Sequence, residues 1–215
     1  MSTEKILEIY YDHYKDTFTY LRGYLSSRDK IFYITLGLLV LVFFQTNNPD
    51  VTKDISINII KKNADDNVSI DINFINSLLL FIFLSLIIKY FQLNLLIERQ
   101  YKYLHSLEDK LTTTLGVKIT REGKSYVDGR PFVLNVIRRI YETLFPVLLL
   151  LVLIKKFSAE LILFEGNLKS WYFIFDTCIL AFILIITVMY ILRKKLSNFK
   201  RVEKSETAEA IEIPQ

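Results

Sequence analysis

Apolar residues gather into four blocks, residues 31–44, 74–88, 141–154 and 171–192, with charged and polar stretches between them. The longest uninterrupted pattern is residues 74–115. Its first part, to residue 88, is apolar all round. Its second part keeps the helical period but becomes amphipathic. Ile97, Leu104, Leu107, Leu111 and Leu115 lie near one face, and Glu98, Arg99, Lys102, Glu108, Asp109 and Lys110 lie mostly elsewhere. No Gly or Pro interrupts it. The pattern predicts one helix that crosses a bilayer and continues into water, roughly 60 Å long at about 1.5 Å per residue. Such a helix would carry a tilt or rotation from the membrane to the cytoplasm.

Residues 3–25 also read as a helix, with Ser2 or Thr3 able to cap its start. Leu7, Tyr11, Tyr14, Phe18, Leu21 and Leu25 recur at alternating spacings of four and three, a heptad seam. The expected partner is the apolar face of residues 93–115. The same seam in a second subunit is the alternative.

Between the first two blocks the period shortens to two. Ile55, Ile57 and Ile59 alternate with polar residues, and so do Val68, Ile70 and Ile72, on either side of a turn rich in Asn and Asp. This predicts an extracytoplasmic β-hairpin, with its Ile row covered by the membrane surface or by other subunits. Gly116 is expected to end the long helix. Beyond it, residues 117–120 and 125–127 suit a short hairpin, and residues 128–131 a turn. Gly123-Lys124-Ser125 is not a P-loop, because that pattern needs a Gly where Lys118 stands. Pro146 is expected to kink the third block, since it removes a backbone donor and clashes with the carbonyl of residue 142. Trp171 and Tyr172 mark an interface at the start of the last block.

Charge adds an orientation. The first 30 residues hold five Lys and Arg, residues 45–73 three, residues 89–139 ten, residues 155–170 three and residues 193–215 six. Rich and poor segments alternate, which under the positive-inside rule places both termini in the cytoplasm. The expected fold is an all-α integral membrane protein. It has four transmembrane helices, long cytoplasmic helical extensions and a small extracytoplasmic β-hairpin. Its parts are a cytoplasmic amphipathic helix (1–30), a first span (31–46), the hairpin (47–73), a second span (74–92) and a cytoplasmic helix with a basic turn region (93–139). A third span (140–156), an outer interfacial connection (157–170), a fourth span (171–192) and a cytoplasmic tail (193–215), disordered beyond about residue 205, complete it. No cleavable signal peptide is expected, because the first apolar run starts late and lacks a small-residue cleavage site. Composition and short loops suit a bacterial inner membrane. The single Cys178 excludes a disulfide or thiolate-metal framework.

Candidate chemistry is sparse. Asp176 is the one acid well inside a span, and intramembrane acids are usually paired or functional. Lys155 or Lys156, at the end of the preceding span, would meet it in an ion pair. Lys118, Arg121, Lys124 and Arg130, with Arg138 and Arg139 nearby, form a basic cluster suited to anionic lipid headgroups or to a partner protein. His13 and His105 stand without metal-ligand spacing, and no nucleophile–base pair is evident. Neither catalysis nor a metal or cofactor is expected. Direct nucleic-acid binding is not expected either, because no aromatic-interleaved basic groove accompanies the positive charge. Three blocks have only 14 or 15 residues, less than the roughly 20 a bilayer needs. A protein fitted to a thinned bilayer is biased by changes in membrane state.

These features describe a homo-oligomeric, non-catalytic sensor or scaffold that relays membrane perturbation to a soluble cytoplasmic partner. A small oligomeric channel or membrane-permeabilising effector using Asp176 is the alternative. In size, span count and cytoplasmic helices the chain resembles the membrane subunit of the Kiwa-type anti-phage system. That resemblance implies phage-defence sensing at the inner membrane beside a soluble DNA-binding subunit. It transfers no functional residue.

Overall fold

The computed structural model describes residues 3–63, 72–116, 136, 140–163 and 171–211. Among these residues the regular elements are all helical. Helix α1 runs Thr3–Asn47, α2 Pro49–Asn63 and α3 Ile72–Leu115. A π-helical turn, Ile140–Leu144, leads into α4, Phe145–Leu163, and α5 runs Trp171–Ile211.

Two features of the expected fold are corrected. Where the hairpin was expected, residues 49–63 form helix α2. The other proposed strand lies mostly outside the described residues. The physical reason starts at the α1–α2 junction. Pro49 lacks an N–H and disfavours helical backbone in the residue before it, so α1 stops at Asn47. Its last carbonyls are not abandoned. Thr46 Oγ1 donates to the Val42 carbonyl at 2.7 Å, Asn47 Nδ2 to that of Phe43 at 2.7 Å, and the Asn48 N–H to that of Phe44 at 2.9 Å. Pro is well suited to a first helical turn, where its missing donor costs nothing. Thr52 and Ser56 then turn their hydroxyls onto the carbonyls four residues back, at 2.9 and 2.8 Å. A period of two over three Ile residues is too short a signal to outweigh this helix start.

The second correction concerns four spans. Among the described residues, three helices are long and apolar enough to cross a membrane: Glu4–Asn47, Asn73–Leu115 and Trp171–Lys194. α4 falls short, because Lys155, Lys156 and Glu160 occupy the last half of its 19 residues. The helices also merge what the hydropathy divides. The expected cytoplasmic helix and first span are one 45-residue helix, α1. α5 continues to Ile211, past the point where disorder was expected. Lys204, Glu206, Ala208, Glu209 and Ala210 are strong helix formers, and the first Pro comes only at Pro214. At Pro146 the irregularity takes the form of the π turn just before α4, a wider coil that accommodates the proline ring. Gly116 closes α3 with φ of 66° and its N–H on the Thr112 carbonyl at 2.9 Å, a left-handed position that suits glycine.

The chain divides into two compact units. Unit 1 comprises Met1–Leu38 with Ser85–Ile140, and unit 2 comprises Leu39–Leu84 with Tyr141–Gln215. Unit 1 holds a core of Tyr14, Leu21, Ile97, Leu104, Leu107 and Leu111, with Leu7, Tyr10, Phe18, Tyr24, Leu25 and Tyr101 packed against it. Phe32 and Tyr90 extend the aromatic packing, ring centroids 5.8 Å apart. In unit 2, α4 packs against α5, and the buried residues include Leu80, Phe83, Leu149, Leu153, Leu180 and Ile183. Its outward residues are equally apolar: Val40, Leu41, Phe81, Ile82, Leu151, Ile185 and Met189 are all exposed. Helices apolar on every face belong in a lipid environment. The protein is therefore a membrane protein with transmembrane helices.

Candidate functional site

Each unit carries one polar group of interest. In unit 1 it sits within the seam between the first half of α1 and the second half of α3. The seam residues on α1 are Leu7, Tyr10, Tyr14, Phe18, Leu21, Tyr24 and Leu25, and Thr17 on the same helix is also buried. Of the expected seam residues, Leu7, Tyr14, Phe18, Leu21 and Leu25 lie in it. Tyr11 does not: it is 58% exposed, and Tyr10 takes its place. Adjacent residues differ by about 100° around a helix, and here Tyr10 faces the seam while Tyr11 turns outward.

Glu108 projects into this seam with 3% exposure. An isolated carboxylate there would cost several kcal/mol. The Tyr14 hydroxyl donates to its Oε1 at 3.3 Å, and His105 Nδ1 lies 3.5 Å from its Oε2. Tyr101 stacks on His105 at 6.2 Å, one turn away on the same helix. Cations flank the seam: Arg22 lies over the Phe18 ring at 5.0 Å and Lys110 over that of Tyr10 at 5.6 Å, each contact worth about 0.5–1 kcal/mol. The sequence pattern places Glu108 on the polar face, and the structure buries it. A Tyr in the seam and a His three residues before the acid were the available signals.

In unit 2 the polar group involves Asp176, Lys156 and a residue the sequence reading passed over, Glu160. Lys156 Nζ is 3.1 Å from Glu160 Oε1, and both side chains are largely buried. Asp176 lies within electrostatic reach of both. Lys155 goes elsewhere. It donates to Asn47 Oδ1 and lies over the Phe43 ring at 5.2 Å. Lys156 therefore stands near Asp176 but pairs directly with Glu160. The signal for Glu160 was its i,i+4 spacing from Lys156, hidden within an apolar run assigned to an interface. Ser77, 4% exposed, joins the group from α3, its hydroxyl beside the Asp176 carboxylate.

The basic cluster of Lys118, Arg121, Lys124, Arg130, Arg138 and Arg139 lies outside the described residues. Among the described residues, no group of three or more His, Cys, Asp or Glu is placed to hold a metal ion. Searches of family models, of curated proteins and of solved structures found no match to the chain.

Proposed function

We propose that this protein is a non-catalytic sensor or scaffold of the bacterial inner membrane that relays membrane perturbation to a soluble cytoplasmic partner. The observation that carries the reading is the continuity of α1 and α3. Each is a single helix that joins an apolar half to a polar-faced half. A change in bilayer thickness or tension acts on the apolar halves, and a continuous helix has no loop in which to absorb it. The basic residues Lys5, Lys15, Arg22, Arg28 and Lys30 at the start of α1 favour a cytoplasmic N-terminal half, and Arg193-Lys194-Lys195 favours the same side for the end of α5. The expected complex contains several copies of the chain, anionic lipid at the basic cluster, and a soluble protein on the seam-bearing helices. The resemblance to the Kiwa-type membrane subunit makes phage defence the process in which to look.

The test is a mild-detergent pull-down of the tagged full-length protein from its native host, with the intact complex weighed. A stoichiometric soluble partner, lost on exposed-face changes such as Tyr20→Ala and Tyr103→Ala, is the expected outcome. A homo-oligomer without any partner would overturn the relay. A channel is the second reading, favoured by the buried polar group of unit 2. It requires liposome ion flux that Asp176→Ala alters.

A further inference from the structure

The junction of α1 and α2 lies between apolar and polar surroundings. Before it, Val40, Leu41, Phe43 and Phe44 are exposed on the last turns of α1, the apolar end of a helix long enough to cross a membrane. At it, Lys155 of α4 donates to Asn47 Oδ1 and lies over the Phe43 ring at 5.2 Å. A lysine in such a place runs its apolar stem along the hydrocarbon and keeps its ammonium at headgroup level. The Lys155–Asn47 contact therefore marks the end of α1 as the edge of the bilayer.

α2 starts from that edge. Only Asn48 separates the end of α1 from Pro49. The Asn48 N–H donates to the Phe44 carbonyl at 2.9 Å, and the Thr52 N–H donates to the Asn48 carbonyl at 3.1 Å. The Thr52 hydroxyl reaches the same Asn48 carbonyl at 2.9 Å. The first turn of α2 is thus tied to the last turn of α1.

α2 also carries apolar side chains that the protein leaves uncovered. Val51 is 49% and Ile55 46% exposed. They stand one turn apart on one face, and Ile59 continues the spacing in the sequence. Lys53, also exposed, lies about 160° around the helix from both, at about 100° per residue. Exposed aliphatic residues opposite a charged one are the pattern of a helix that lies in a membrane interface. Were α2 upright, Ile55 would stand roughly 12 Å beyond Asn47, in water, at about 1.5 Å per residue.

We propose that α2 lies flat on the membrane surface at the leaflet where α1 ends, with Val51 and Ile55 sunk into the boundary between headgroups and acyl chains. The occupant of this face is lipid, because the face continues the exposed apolar surface of α1 across a single residue. Asp50, Lys53 and Asp54 nearly balance in charge, so attachment comes from apolar burial and not from anionic headgroups. This placement stands on the apolar end of α1 and not on the relay to a partner.

The experiment uses the full-length protein in lipid nanodiscs, in a Cys178→Ala background that removes the only Cys. Val51→Cys, Lys53→Cys and Ile55→Cys are made singly and spin-labelled. Ile185→Cys, at a position 52% exposed on α5, supplies the lipid reference. Collision of each label with oxygen, which concentrates in lipid, is compared with collision with a water-soluble nickel chelate. The oxygen-to-nickel ratio at positions 51 and 55 should exceed that at position 53 several-fold and approach the reference. Water-like ratios at all three positions put α2 clear of the bilayer and overturn the placement. Shielding of positions 51 and 55 from both reagents puts a second copy or another protein on the face and overturns it too. Lipid-like ratios at all three submerge the whole helix and do the same. A second variant avoids the label: Ile55→Trp in a Trp171→Phe background should be quenched by lipids brominated near the headgroup and spared by aqueous iodide. The reverse pattern overturns the placement.

Discussion

The two units treat a buried acid in opposite ways. In unit 1, Glu108 is enclosed by a tyrosine hydroxyl from the facing helix and a histidine from its own, within a seam of leucines and aromatic rings. In unit 2, Glu160 pairs with Lys156, and Asp176 on the next helix lies within electrostatic reach of both, with Ser77 beside it. The first arrangement ties two helices together across the seam through Tyr14 and Glu108. The second gathers two acids and a lysine near the end of α4 and the start of α5.

The largest effect that can test this contrast comes from Lys156. Lys156→Met leaves Glu160 without its buried counter-charge and should cost about 3–5 kcal/mol of stability, read from unfolding in detergent by circular dichroism. Adding Glu160→Gln should restore a substantial part of that loss. If the double variant is no more stable than the single one, the pair is not the electrostatic unit described. In unit 1 the corresponding large effect is packing. Leu104 is fully buried, and Leu104→Ala should cost about 2–5 kcal/mol. A loss below about 0.5 kcal/mol, the range of ordinary surface changes, would mean that the seam is not a packed core.

A smaller effect is expected at the enclosed acid. Tyr14→Phe removes one donor to Glu108 and should cost about 1 kcal/mol. The penalty should vanish in a Glu108→Gln background if the two groups are coupled, a double-mutant comparison that needs no absolute stability. The smallest effect separates two neighbouring residues. Tyr11→Ala, at an exposed position, should stay within about 0.5 kcal/mol, while Tyr10→Ala, which strips packing from the seam, should exceed it. Equal costs would return Tyr11 to the seam.

The legible part of this molecule was what depends on neighbours along the chain. The unbroken run of residues 74–115, without Gly or Pro, reads directly as the single helix α3, and Gly116 ends it. The seam residues Tyr14 and Leu21 were legible by their spacing, and Asp176 by its solitude among apolar residues. The alternation of Ile55, Ile57 and Ile59 misled because it was weighed apart from Pro49, whose place at a helix start decides the local geometry. Glu160 was overlooked because an acid near a charged pair at a helix end looks solvated until the neighbouring helices are known.

The long apolar helices and their lipid-facing character were fixed along the chain, since hydrophobic period and the absence of helix breakers are local properties that need no partner, whereas the helix at residues 49–63 was not read. Tertiary packing decided which of two adjacent tyrosines faces α3, that Glu108 is buried, and that Asp176 lies near Lys156 and Glu160 of another helix. The reason is physical. Periodicity defines a face to within about a hundred degrees, but whether that face meets lipid, water or another helix depends on residues far away in the chain. For a charged side chain, that environment sets both its cost and what it can bind.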